Sequence, residues 1–280
     1  MTADERPIVA INGARYEVHR DWGKLPSSIA WGFISQVAVD STNSVYVLQR
    51  ANPPVLVFNP DGTYARSIGD NDILDGHGIT IDSADRVWLV DRDAHQVIAF
   101  TPGGDRIFSL GQRGEPREGA PFNHPTSVAV ADDGQIYVAD GYGNTRVHHF
   151  NPDGELIRSW GTAGSGPGEF STPHGVMVSQ CDEVLVIDRE NHRVQRFARD
   201  GTYLGEWGTF HNPMAICQDR AGILLITDQV PRIHALAPDG TRLGRCRGAI
   251  NGAHGISVAA DGNIYLAELP PARLTKLSRL

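Results

Sequence analysis

Cysteine and methionine are scarce in this chain, positive charge is not in excess, and no long apolar run occurs. The three cysteines, Cys181, Cys217 and Cys246, are an odd number at wide spacings. That argues against a disulfide scaffold and against a Cys-x-x-Cys zinc site. No stretch approaches the roughly 18 apolar residues of a membrane helix. The opening MTADERPIVAINGARYEV lacks the apolar centre of a signal peptide. A cytoplasmic protein with no membrane partner is therefore expected. Lys and Arg total 25 against 33 Asp and Glu, a net charge of −8. Phosphate backbones need a concentrated positive surface, so nucleic acid is not an expected partner either, and a small-molecule substrate is.

Glycine is abundant, at 31 of 280 residues, and proline adds 17. With 40% hydrophobic and 21% charged residues, the chain has the composition of a folded protein. The Gly and Pro content favours many short strands joined by tight turns over a helical bundle.

One unit recurs along the whole chain. Two clear copies are FNHPTSVAVADDGQIYVADGYGNTRVHHFNPDGELIRSWG at 122–161 and FSTPHGVMVSQCDEVLVIDRENHRVQRFARDGTYLGEWG at 170–208. Each holds four short apolar runs. The first run recurs as SQVAVD, GITID, SVAVA, GVMVS, AICQ and GISVA, ending at Asp40, Asp82, Ala131, Ser179, Gln218 and Ala259. Between the third and fourth runs stand NPDG, TPGG, NPDG, ARDG and APDG, turns of hairpin type. The fourth run ends in Gly at 69, 111, 161, 208 and 248. The first three runs occur six times and the fourth only five. The missing copy lies at the other end, where YEVHRDWG at 16–23 matches GELIRSWG at 154–161. Four-stranded units of about 40–45 residues are propeller blades. The expectation is all-β: one domain over 1–280, a six-bladed β-propeller closed by residues 14–23 as the outer strand of the last blade.

Aligning the blades exposes a chemical pattern. The residue opening the innermost strand is Ser35, His77, Thr126, His174, Pro213 and His254. Any one of these histidines alone reads as a turn or packing residue. Together they occupy alternate blades, about 120° apart in a six-bladed ring, and converge on the axis. Three imidazoles with an open fourth position suit a divalent metal, zinc above all, although imidazole also serves other transition metals. His77, His174 and His254 are thus the expected metal ligands. The other histidines read as surface or packing residues, with His124 and His211 placed to line the channel rim.

The segments VADGYGNTRVHHF and VIDRENHRVQRF resemble the NHL repeat. More specifically, GHGITID, TPHGVMVS and GAHGISVA resemble the zinc-histidine motifs of the peptidyl-α-hydroxyglycine amidating lyase domain, itself a six-bladed propeller. The resemblance covers most of the chain and implies Tyr142 (in ADGYGNTR), Arg50 (in VYVLQR) and Arg189 (in IDRENHR) as catalytic residues. Asp140, Asp188, Arg146 and Arg193 recur with the repeat and read as inter-blade ion pairs or turn hydrogen bonds. Two positions depart from the family. Its methionine two residues before the last histidine is Gly252 here. Its aspartate after that histidine, associated with structural calcium (Ca2+), is Gly255, so no calcium site carries over. The implied activity is a metal-dependent lyase that cleaves a small N-(hydroxyalkyl) amide into amide and aldehyde. Two alternatives stand beside it: a zinc hydrolase of an amide, ester or lactone, and a non-catalytic NHL interaction module.

Overall fold

The computed structural model describes residues 6–247, 251–268 and 272–280. Among these there is no helix, and hence none long and apolar enough to cross a membrane. The strands form six sheets of four or five strands, and a two-residue parallel pair, Thr162–Ala163 with Glu169–Phe170, lies in the connection after the third sheet. The six sheets are the blades of a propeller. Their inner strands are Ile34–Val39, Gly76–Ile81, Ser127–Val130, Pro173–Val178, Pro213–Gln218 and Ala253–Val258. Each lies against the inner strands of both neighbouring blades, and the sixth lies against the first, so the ring is closed.

The second strand of every blade is buried along its full length, as in Val45–Gln49, Val87–Asp91 and Val184–Asp188. Neighbouring blades cover both of its faces, which is why it reads as an unbroken apolar run. Outer strands such as Tyr203–Trp207 alternate between half-buried and exposed positions. The apolar interior divides into six clusters, one at each blade interface. Between blades one and two, for example, Tyr46, Leu48 and Val57 meet Ile79, Leu89 and Phe100.

The ring closes as the repeat requires. Ala14–His19 pairs antiparallel with Arg273–Arg279, and a further strand, Ile8–Ile11, adds a fifth member outside it. Nothing in the repeat pattern signals that fifth strand. Trp22, just beyond the closing strand, lies 3.2 Å from where a Cβ on Gly62 would sit. Trp160 and Trp207 press in the same way on Gly201 and Gly240. These glycines end the Asp-Gly turns of the following blade and all have φ between +84° and +89°. Only glycine accepts that backbone and that contact without strain. The N-terminal segment therefore does for blade six what the fourth strand does elsewhere. Gly248, the last of the expected run-ending glycines, lies outside the described residues.

Candidate metal centre and its rim

In five blades the residue facing the axis is the extra residue of a β-bulge at the start of the inner strand, and in blade three Thr126 takes the place just before the regularly paired Ser127–Val130. The pairing skips Ser35, His77, His174, Met214 and His254. In the fifth blade the place belongs to Met214, not to Pro213 as the sequence alignment had it. Pro213 pairs with Asp228 one step earlier, and the bulge moves the register by one residue. A bulge re-aims a side chain that regular pleating would turn away. Gly255, next in the chain, sits where a Cβ would lie 1.9 Å from Gln36 Oε1, so the position has no room for a side chain.

The axis-facing residues stitch the ring together. Ser35 Oγ donates to Gly76 O (2.8 Å), and Thr126 Oγ1 donates to Pro173 O (2.8 Å). The histidines bridge with Nδ1 to the carbonyl one residue further along the next blade: His77 to Thr126 O (2.7 Å), His174 to Met214 O (2.8 Å) and His254 to Ser35 O (2.6 Å). A carbonyl can only accept, so each Nδ1 carries the proton and each Nε2 presents a lone pair. The three rings stand 4.9–5.1 Å apart, centroid to centroid. One nitrogen from each lies within 4.8 Å of the others. All three residues are buried. Burial, reinforced by neighbouring imidazoles and arginines, holds His77 and His174 well below the ordinary imidazole range. Burial likewise pushes His254 down to about 4, with Arg50 and Arg189 adding to the effect.

Three neutral imidazoles thus aim lone pairs at one point. His174 Nε2 is buried with no hydrogen-bond partner. An unpaired buried acceptor is costly, and a cation at the centre would satisfy it. The backbone carbonyls on Nδ1 are the outer partners that fix a metal-ligating histidine. The donor set fits a divalent transition metal.

Tyr142, Arg50 and Arg189 all follow second strands and sit at the same end of the channel as the histidines. Tyr142 Oη donates to His77 Nε2 (3.1 Å) and accepts from Arg189 Nη1 (3.2 Å). Its position depends on Gly141, where a Cβ would stand 2.0 Å from Pro173 O. Arg50 belongs to the same rim but touches neither Tyr142 nor the triad among the described residues. It rests over the Phe33 ring at 5.0 Å and pairs with Asp75 at 3.1 Å.

Sequence reasoning passed over two members of this rim. Arg92 follows its second strand as Arg50 and Arg189 follow theirs, and its guanidinium lies 5.7 Å from the Tyr142 ring centre. Asp75, two residues before His77, holds both Arg50 and Arg92. The blade alignment that found the histidines also puts Arg92 in line with Arg50 and Arg189.

His124 and His211 do not reach the axial cavity. His124 packs edge-on against His95 (4.3 Å), and His211 stacks on His192 (5.3 Å). His95 and His192 accept main-chain N–H groups of His124 and Asn212, which locks the loops that lead into blades three and five. Asp188 pairs with Arg193 at 2.8 Å within its own blade, and Arg193 reaches the carbonyls of Ser165, Gly166 and Glu169 in the preceding connection. Below the triad the axial cavity measures about 160 Å³ and is lined by Gln36, Thr126 and Met214 together with the histidines.

Comparison with known proteins agrees with this architecture. The NHL repeat pattern matches residues 122–150 and 170–197. NHL repeat-containing protein 3 of Mus musculus is 34% identical over 232 residues, covering 75% of this chain and 67% of that protein. Peptidyl-alpha-hydroxyglycine alpha-amidating lyase 1 of Drosophila melanogaster is 34% identical over 308 aligned positions, covering 97% of this chain and 48% of that protein. The chain thus spans about half the length of that relative. Among solved structures, a gluconolactonase of Xanthomonas campestris superimposes with a TM-score of 0.74 at 17% identity, over 99% of this chain and 96% of that one. Virginiamycin B lyase of Staphylococcus aureus does so with 0.69 at 14%, over 95% and 100%. At such identities the two structures speak for the fold alone.

Proposed function

Because the chain belongs to the family of NHL repeat-containing propellers, we propose that its axial site is that of a metal-dependent lyase for a small N-(α-hydroxyalkyl) amide. The observation that carries the reading is the joining of the buried histidine triad to Tyr142 and Arg189 by direct hydrogen bonds. The amidating lyases similar to this chain support the reaction class, and through their name α-hydroxyglycine amides as the substrate type.

The reaction breaks one C–N bond. The hydroxyl proton leaves, the C–O bond becomes a carbonyl, and the C–N electron pair goes to nitrogen, which takes up a proton. The products are an amide and an aldehyde, and no water is consumed. His77, His174 and His254 would hold the metal, zinc for choice, which supplies Lewis-acid polarisation of the substrate hydroxyl. Among the described residues, Tyr142 is the one rim side chain that hydrogen-bonds to the triad, and it is partly exposed. With His77 Nε2 given to the metal, Tyr142 Oη would be released from that bond; as the phenolate, its own proton having passed to solvent, it would accept the hydroxyl proton and return it to the departing nitrogen, acting as base and then acid. Arg189 fixes the phenol oxygen through its Nη1 and stabilises negative charge as the C–N bond opens. Arg50 lies one blade from His77 and offers its guanidinium to the carboxylate side of the substrate.

The test is turnover of N-benzoyl-α-hydroxyglycine by zinc-loaded protein. Equal amounts of benzamide and glyoxylate are expected, with no isotope from labelled water in the amide. Tyr142→Phe keeps the ring in place and should lower kcat by about 10²–10⁴-fold at unchanged metal content. A kcat within a factor of about three of the wild type would remove Tyr142 from the chemistry. Benzoate as the product would make the protein a hydrolase.

A further inference from the structure

Arg92 has no place in the proton relay above, yet it sits on the same rim and is built in firmly. Asp75, buried in the loop that leads into blade two, receives both Arg50 Nε (3.1 Å) and Arg92 Nη2 on its two carboxylate oxygens. The backbone holds this carboxylate in place: Asp75 N donates to Asp91 Oδ1 (3.0 Å), and Arg92 N donates to Asp75 O (2.9 Å). Arg92 Nε donates to Asp93 (2.9 Å). The result is two guanidiniums from adjacent blades held side by side, each lying over an aromatic ring, Phe33 and Tyr142. Arg50 and Arg92 share the buried Asp75, and Arg92 also pairs with the half-exposed Asp93, so the charges balance and what the pair offers a ligand is its unused donors. Among the described residues, neither terminal nitrogen of Arg50 nor Nη1 of Arg92 makes a hydrogen bond or ion pair. Both side chains keep about a quarter of their surface open, at 26% and 27%.

We propose that Arg92 and Arg50, strapped together by Asp75, form a seat for a carboxylate of the substrate, and that Arg92 is its specificity-determining residue. Unused donors on two planar forks match the two oxygens of a carboxylate. The stacked rings and the Asp75 strap fix both forks before the ligand arrives, so little ordering cost remains at binding. The neighbouring position on Tyr142 places the seat beside the group proposed to move the proton. This inference deepens the lyase reading and rests on it for the identity of the substrate, but the seat itself can be tested without turnover.

The experiment measures calorimetric binding of glycolate and of its uncharged counterpart, glycolamide, to the zinc-loaded full chain. Wild type, Arg92→Gln and Arg92→Lys are compared, with melting temperature and zinc content as checks on the fold. Wild type should prefer glycolate over glycolamide. Arg92→Gln should weaken glycolate at least about 10-fold, the scale of one charge-assisted fork lost, and leave glycolamide unchanged. Arg92→Lys, which keeps charge and stem but not the fork, should lose less and guards against a fold defect in the glutamine variant. Absence of a glycolate preference in the wild type, or unchanged glycolate affinity in both variants, overturns the proposal. With a cleavable substrate the loss should appear in KM while kcat holds, the mark of uniform binding. Glycolate selectivity without cleavage would defeat the lyase reading and keep the seat, whereas cleavage indifferent to Arg92 would do the opposite.

Discussion

Replacing His174 with serine separates the two jobs this residue performs. Ser35 and Thr126 bridge to the next blade with a hydroxyl, at 2.8 Å in each case. By that analogy His174→Ser should exchange the bond to Met214 O for one to Pro213 O, and so keep a bridge to blade five while losing the nitrogen that faces the axis. Without metal, the wild type buries His174 Nε2 unpaired, a cost of about 1–3 kcal/mol. The variant sheds that cost and gives up some packing, so its metal-free melting temperature should stay within about 2 °C of the wild type, roughly 1 kcal/mol for a chain this long. With metal the two diverge. At free zinc about 100 times the dissociation constant, binding to the folded state alone stabilises by about 2.7 kcal/mol. At about 2.1 cal/mol/K of unfolding entropy per residue, that raises the Tm of the 280-residue chain by about 5 °C. Scanning calorimetry in chelator and in buffered zinc, with metal analysis of the dialysed protein, should show the gain in the wild type and not in His174→Ser. An equal gain and an equal zinc content in the variant would refute the assignment of the triad as ligands. A metal-free variant that melts 10 °C lower would refute the bridge argument instead.

Two further expectations concern the frame around the site. Trp22 packs on Tyr265 at 5.0 Å and Phe58 at 6.0 Å where the ring closes. Trp22→Ala should cost about 2 kcal/mol, below the range for a fully buried aromatic because Trp22 keeps some exposure, seen as a lower urea midpoint; an unchanged midpoint would leave closure to the strand pairing alone. Burial pushes the Asp228 carboxyl up, but hydrogen bonds from His234 and Arg232 outweigh it and hold the group below its ordinary value of 3.8. A depressed carboxylate contributes stability above its unfolded value and loses it as the pH falls through the folded one. Asp228→Asn should therefore cost about 3 kcal/mol at pH 7, with the gap to wild type closing below about pH 4 in urea titrations; a gap that stays constant down to pH 2 would contradict the pairing.

How much of this was legible in the sequence depends on whether each feature repeats. Blade number, strand order and ring closure were readable because the runs recur and the surplus run stands at the other terminus. The fifth strand at Ile8–Ile11 was not, since it has no counterpart in other blades and its edge contacts follow from tertiary placement. The histidines were readable because one register position recurs six times. The slip from Met214 to Pro213 was one of alignment, since Pro213 corresponds to Pro173, which precedes His174 in the same bulge of blade four. Arg92 was visible in the same alignment and was passed over because it matched no family motif, while its partner Asp75 lies in a loop outside any repeat. The same distinction explains how a structural repeat becomes a site. A hydroxyl at the bulge completes the bridge to the next blade and has no second group to direct elsewhere. An imidazole bridges with one nitrogen to the next carbonyl along and, because its two nitrogens point in different directions, delivers the other to the axis. Placing histidine in blades two, four and six therefore leaves the ring's hydrogen bonding intact and adds three lone pairs at its centre. Every residue of such a set first serves as a fastening between blades, and the cost left over is that of the unpaired Nε2 of His174, which a cation at the centre would offset.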